Sequence, residues 1–191
     1  VALTIEHVRL TDIVPADTNP KRHDINTLIR SYTRFGYAEA IIQDGRTGKL
    51  VAGHGRVEAL AALHRTSATP PDGIQVGPDG EWLVPVQMGW SSANDEEANA
   101  FLVAANRLTE TGGWDDQTLA DLLAVIARGP SGLEGIGYTE AELADLIAAL
   151  APPSEFPSFD PDSLGTEYTC PSCGYQWSGT AGVENIPAPS P

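Results

Sequence analysis

With 191 residues, 41% of them hydrophobic, the chain is long enough for one medium domain plus a small appendage. It has no run of ~18 apolar residues to span a membrane, no signal-peptide pattern at Val1–Glu6, and only two cysteines, at 170 and 173, which cannot staple a fold; a cytoplasmic setting is the expectation. The net charge of −15 is uneven: residues 1–93 hold nine Lys/Arg against ten Asp/Glu, and residues 94–162 hold two Arg against fourteen Asp/Glu, a local net of −12 that excludes non-specific coating of nucleic acid by the second half.

Residues 4–10 alternate as a first strand. Asn19-Pro20-Lys21-Arg22-His23 forms a turn, and Asp24 caps a helix whose apolar face is Ile25, Leu28, Ile29 and Tyr32. Gly36 ends that helix. Ala40–Gln43 is a short buried strand, Asp44–Gly48 a hairpin turn, and Leu50–Ala52 the returning strand, which runs into Gly53-His54-Gly55-Arg56 and a further helix. Residues 66–80 read as a polar loop. Trp82–Met88 is a strand that Pro85 assigns to a sheet edge. Residues 95–110 form a helix with an acidic first turn, which suits its dipole. Asp115 caps the next helix, with Leu119, Leu122, Leu123 and Ile126 as its stripe, and Thr139/Glu142 form a capping box for a last helix with Leu143, Leu146, Ile147 and Leu150. The resulting organisation is an α/β (α+β) domain over residues 1–110, with a small mixed sheet and helices. A helical extension (111–150), a linker (151–168), a Cys-x-x-Cys knuckle (169–180) and a loose tail (181–191) follow.

The strand, Gly-His-Gly-Arg, helix order has a chemical logic. Gly53 and Gly55 admit positive φ and close approach of a ligand to the backbone. Free N–H groups at a helix start favour a phosphate, and Arg56 adds a planar fork that binds phosphate oxygens in two places. His54 can act as acid, base or metal ligand. Glu58, in the following turn, and Asp44, at the end of the preceding strand, complete the catalytic candidates. Taken alone, the loop is equally consistent with a tight strand-to-helix turn.

The neighbourhood favours the functional reading. The order of elements, Asn19-Pro20-Lys21-Arg22, Ala40-Ile41-Ile42-Gln43-Asp44, Gly53-His54-Gly55-Arg56 and Ala105-Asn106-Arg107-Leu108 together resemble the N-terminal domain of the ParB family, which shares its fold with sulfiredoxin. The resemblance covers roughly residues 3–110. Val51–Ala59 with Asn106–Asp115 looks most like ParB-like proteins of bacteriophages and mobile elements. It implies a nucleotide-binding protein, an NTPase or phosphotransferase serving DNA metabolism, that holds a nucleoside triphosphate (CTP or ATP) with Mg²⁺. By residue match, Gly53, Arg56, Asn106, Arg107, Lys21 and Arg22 would bind the nucleotide, with the Gly55 backbone beside them, and a homodimer is an expectation of the same analogy. Two departures stand out: His54 replaces the Glu that the family ties to hydrolysis, and Gly55 replaces an Arg. Sulfinic acid reductase activity is excluded, because that chemistry needs a loop cysteine where this chain has His54.

ParB continues into a helix-turn-helix DNA reader, whereas residues 115–150 give two acidic helices with no basic recognition face, so packing against the domain is the expected role. Two rival functions remain. One is a non-enzymatic adaptor with Lys21–Arg34 on DNA and the acidic helices on a partner such as a methyltransferase. The other is a ParB-like nuclease, for which Asp44 and Glu58 are the only candidate carboxylates. Cys170-Pro171-Ser172-Cys173-Gly174 has the spacing of half a zinc site. Two chains could share one four-cysteine centre, His7, His23 or His64 could complete it, or the thiols could be free. His23 reads as a helix-start residue, His64 as core, His7 as solvent-facing, and Trp82, Trp90 and Trp114 as core or rim residues, Trp114 beside its helix cap.

Overall fold

A computed structural model describes residues 2–152 and 168–177. The chain divides into two units, Val1–Ala151 and Pro152–Pro191. Most of the expected linker and all of the expected tail lie outside the described residues.

In the first unit, β1 (Thr4–Arg9) leads through a 3-10 turn (Leu10–Asp12) and an extended crossing segment to α1 (Ile25–Phe35). The sequence sets both ends of α1. The Asp24 carboxylate accepts from the Thr27 N–H at 3.0 Å, and Gly36 leaves the helix at φ 73°. Then come β2 (Ile41–Gln43), β3 (Leu50–Ala52), α2 (His54–Arg65), β4 (Gln75–Val76), β5 (Trp82–Met88), α3 (Asp95–Thr111), α4 (Asp116–Ala127) and α5 (Glu140–Leu150). The small strand β4 lies inside the stretch expected to be loop; two residues are too few to produce a periodic signal.

The sheet runs β1-β5-β2-β3, with β4 also pairing β5. β5 is antiparallel to β1 and β4 and parallel to β2. The edge position expected from Pro85 is therefore incorrect, since β5 is the central strand. Proline is tolerated there because β4 pairs Trp82 and Leu83 while β2 pairs Val86 and Gln87. Pro85 falls in the gap between those two pairings, where that side has no ladder to break.

Alternation along β5 buries Trp82, Val84 and Val86 on one face. Tyr32 of α1 and Ala59 and Leu60 of α2 join them with Ile41 and Leu50 in the main core. Each fully buried Leu or Ile there contributes about 1.5–3 kcal/mol of transfer free energy. β1 leaves most of its side chains exposed, His7 among them.

α4, α5 and the segment joining them form a second small core from Leu119, Leu123, Leu133 and Leu143. Packing against the domain was the expected role, but these side chains chiefly pack on one another. The tie to α1 is a clasp: the Arg34 guanidinium donates to the carbonyls of Gly132 (2.8 Å) and Glu134 (2.6 Å). No helix among the described residues is long and apolar enough to cross a membrane.

In the second unit, β6 (Tyr168–Thr169) and β7 (Gln176–Trp177) form a short antiparallel hairpin.

Candidate functional site

The crossing segment between the 3-10 turn and α1 is held beside β3 by a parallel bridge, Val14 to Lys49, and by the Lys49–Asp17 ion pair. It delivers residues 19–23 to the start of α2. There a cleft of about 240 Å³ opens, lined by Lys21, His23, Leu28, Ala52, Gly53, His54, Gly55, Arg56, Ala105 and Asn106. Residues from the crossing segment, α1, the β3–α2 junction and α3 thus meet at one place, and three of the motifs singled out in the sequence are among them.

Gly53 is the N-cap of α2 at φ 96°, and a Cβ on it would lie 2.5 Å from Ile41 Cγ2. Only glycine suits that position. The first intrahelical bond runs from the Val57 N–H to the Gly53 carbonyl, so the amides of His54, Gly55 and Arg56 are the free donors of the helix start. Gly55 is needed for another reason: its missing Cβ would sit 2.6 Å from the His23 imidazole. Arg56 forms an ion pair with Glu39 and Lys21 one with Glu110, the latter at 3.0 Å. The Asn106 side-chain amide donates one N–H to the Leu102 carbonyl at 2.9 Å, which orients the amide and leaves its second N–H and Oδ1 available. The lining therefore combines free amides and two cations and contains no carboxylate.

The remaining candidates are placed differently. Arg22 is exposed and does not line the cleft. Arg107 lies beside Glu110 in a neighbouring groove that shares Lys21 and Asn106 with the cleft. Asp44 is fully buried away from the cleft as the hub of the β2–β3 turn. It accepts from the Ser92 N–H and hydroxyl, the Thr47 hydroxyl and the Arg46 N–H at 2.8–3.1 Å. Burial pushes its carboxyl up, but these four donors outweigh burial and hold it at about 2. Arg46 extends the network, donating to the Ser92 hydroxyl and pairing with Asp95 at the start of α3.

His54 is buried, and its Nε2 accepts from the Ala16 N–H at 3.2 Å. Its proton therefore sits on Nδ1. Burial, then the neighbouring His23, push its pKa below the usual 6.5, against the opposing pull of Glu58. The ring anchors the crossing segment in its neutral form. His23 has more than a helix-start role: its side chain is 15% exposed, lines the cleft, and places Nδ1 3.5 Å from Glu58 Oε2. Nothing in the linear sequence joins residues 23 and 58; the one trace is Gly55, whose small size makes room for a ring.

Trp82 is in the core and Trp90 stacks on Phe101, but Trp114 is largely exposed, since its neighbour Asp115 caps α4 without needing the ring. His64 packs edge-on against Trp82. In the hairpin unit, Cys170 and Cys173 are free thiols on a turn closed by Cys170 N–H to Tyr175 O (2.7 Å) and Gly174 N–H to Cys170 O (2.9 Å). The N–H groups of Ser172 and Cys173, with the Cys173 side chain, lower the Cys170 pKa. No cluster of three or more metal-ligating side chains gathers among the described residues.

Neither a protein-family model nor a curated protein sequence matches the chain. Solved structures do. The C-terminally truncated chromosome-partitioning protein ParB from Caulobacter crescentus, complexed with CTP-γ-S, superposes with a TM-score of 0.51 at 15% identity, over 79% of this chain and 81% of that one. The first unit has the fold of a ParB N-terminal domain. A Pnob8-like ParB-N domain also matches, with a TM-score of 0.39 and 17% identity over 66% of this chain and 45% of that one. In this ParB-like fold the cleft at the α2 start, rather than the buried Asp44, gathers the residues able to hold an anion.

Proposed function

We propose that the ParB-like unit binds a nucleoside triphosphate, CTP or ATP, with its phosphates in the cleft at the start of α2. One observation carries this reading: the free amides after Gly53, Arg56 and Lys21 converge on a lining that holds no carboxylate. The glycine positions are compatible with it: Gly53 takes the left-handed conformation that turns the chain into α2, and Gly55 leaves room for the His23 ring in the cleft lining. A magnesium ion would rest mainly on the phosphates, as is usual for this cation; the side-chain ligand the lining offers it is Asn106 Oδ1. The wider setting we infer, DNA metabolism of a phage or mobile element, is supported by the sequence resemblance.

The rival adaptor reading needs Lys21–Arg34 free to meet DNA. Arg34 instead clasps two carbonyls and Arg30 donates to the Thr27 hydroxyl, which favours the nucleotide.

Calorimetry and thermal melts with CTP, ATP, ADP and GTP plus Mg²⁺ test the proposal on wild type and Arg56→Ala. At 100 times its Kd a bound nucleotide adds about 2.7 kcal/mol of stability. Arg56→Ala is expected to weaken binding by about 10- to 100-fold, the loss of a charge-assisted bidentate contact. Absence of a shift with every nucleotide would end this reading.

A further inference from the structure

Among the polar side chains of the cleft, His23 has a placement that holding phosphates does not explain. Its ring lies against Gly55, where any larger residue would displace it, and Nδ1 faces Glu58 Oε2 at 3.5 Å. A carboxylate beside Nδ1 favours the neutral-ring tautomer with its proton there, in which Nε2, on the opposite edge of the ring, is the acceptor. The contact is an ion-pair approach and not a formed hydrogen bond; catalytic contacts of this kind are commonly long in a ligand-free protein and tighten in the complex. His54 cannot serve in the same way, because its Nε2 already accepts from the Ala16 N–H.

We propose that His23, oriented by Glu58, is the general base for hydrolysis of the nucleoside triphosphate; this rests on the proposed binding of that nucleotide in the same cleft. Water is the nucleophile. Its oxygen forms a bond to the terminal phosphorus, and its proton passes to His23 Nε2. The bond from that phosphorus to the β–γ bridging oxygen breaks, and its electron pair leaves with the nucleoside diphosphate. Inorganic phosphate is the second product. Arg56 and Lys21 face the charge that spreads over the phosphate oxygens. Glu58 is a positioning residue: it acts on the imidazole, not on the nucleotide. The charged or titratable groups around His23 are His54, Arg56 and Glu58 on α2 and Lys21 on its own segment.

The test is phosphate release from CTP and ATP with Mg²⁺ by the full chain, with Kd measured separately by calorimetry. His23→Asn, which keeps a polar side chain but no base, is expected to leave Kd within about threefold and to cut the release rate by about 10²–10⁴-fold. His23→Ala serves as a second variant, and a thermal melt of each establishes that it is folded. Glu58→Gln is expected to lower the rate with Kd unchanged, and Glu58→Asp to restore part of it. A purely structural Glu58 would move the melting temperature and not the rate. A folded His23→Asn that hydrolyses at the wild-type rate overturns the assignment, as does a wild-type protein that binds nucleotide and releases no phosphate. Absence of nucleotide binding in wild type overturns the binding proposal itself, and this one with it.

Discussion

Asp44 carries its charge in a fully buried position, and four donors make that tolerable. Its carboxyl titrates at about 2 in the folded protein against 3.8 ordinarily. The unfolded chain therefore takes up the proton first as pH falls. The stabilisation is fully present above about pH 4 and is lost as pH drops through about 2, and it amounts to about 2 kcal/mol. Denaturant melts across that window are expected to show this loss in wild type. Asp44→Asn, which turns an NH2 towards a donor, is expected to cost about 3 kcal/mol at neutral pH and to flatten the acid limb. Equal acid sensitivity in the variant would refute the assignment. His54 obeys the same sign, since its lowered pKa favours the neutral ring and its contribution fades as pH falls below 6.5.

At the level of elements, local rules worked where a single side chain settles a helix end. Asp24, Asp115 and Thr139, the caps expected from the sequence, each accept from an N–H three residues on, and Asn94 does the same for α3. Thr139→Ala would remove one half of a complete capping box and is expected to cost about 1 kcal/mol, read as faster amide exchange in α5 with α1 and α2 unchanged. A uniform loss of protection would mean that the α4–α5 pair is not a separate cooperative unit. Legibility failed where the answer lay across the fold. Leu122, Ile147 and Leu150 fall on helical stripes yet remain exposed, because an isolated helix pair has only one inner side to offer. Pro85 signalled an edge by a rule about ladder bonds, and the gap between β2 and β4 removed its premise. The Gly53–Arg56 strand-to-helix junction was readable because strand, glycines, arginine and helix are contiguous, whereas the His23–Glu58 contact spans 35 positions (58 minus 23) with no periodicity to reveal it.

For the molecule as a whole, charge sets the limits. The net of −15 is concentrated where α3, α4 and α5 lie, while Lys21 and Arg56 sit in the cleft against Glu110 and Glu39. Such a field attracts a small anion only locally and repels a polyanion at long range. Random-sequence duplex DNA is expected not to be retained at about 0.15 M salt, as checked by mobility shift; a salt-sensitive complex would revive the adaptor reading.

The strand order β1-β5-β2-β3 places the latest of these strands to be made in the middle of the sheet. On the ribosome, residues 4–9 emerge long before residues 82–88, with which they pair. The early hairpin of β2 and β3 likewise has one side open until β5 follows. Sheet closure is thus an event of long loop closure, slow by nature and governed by when β5 leaves the exit tunnel. A nascent chain paused before residue 82 holds two open sheet edges, and the solubility of the protein during synthesis depends on how briefly that interval lasts.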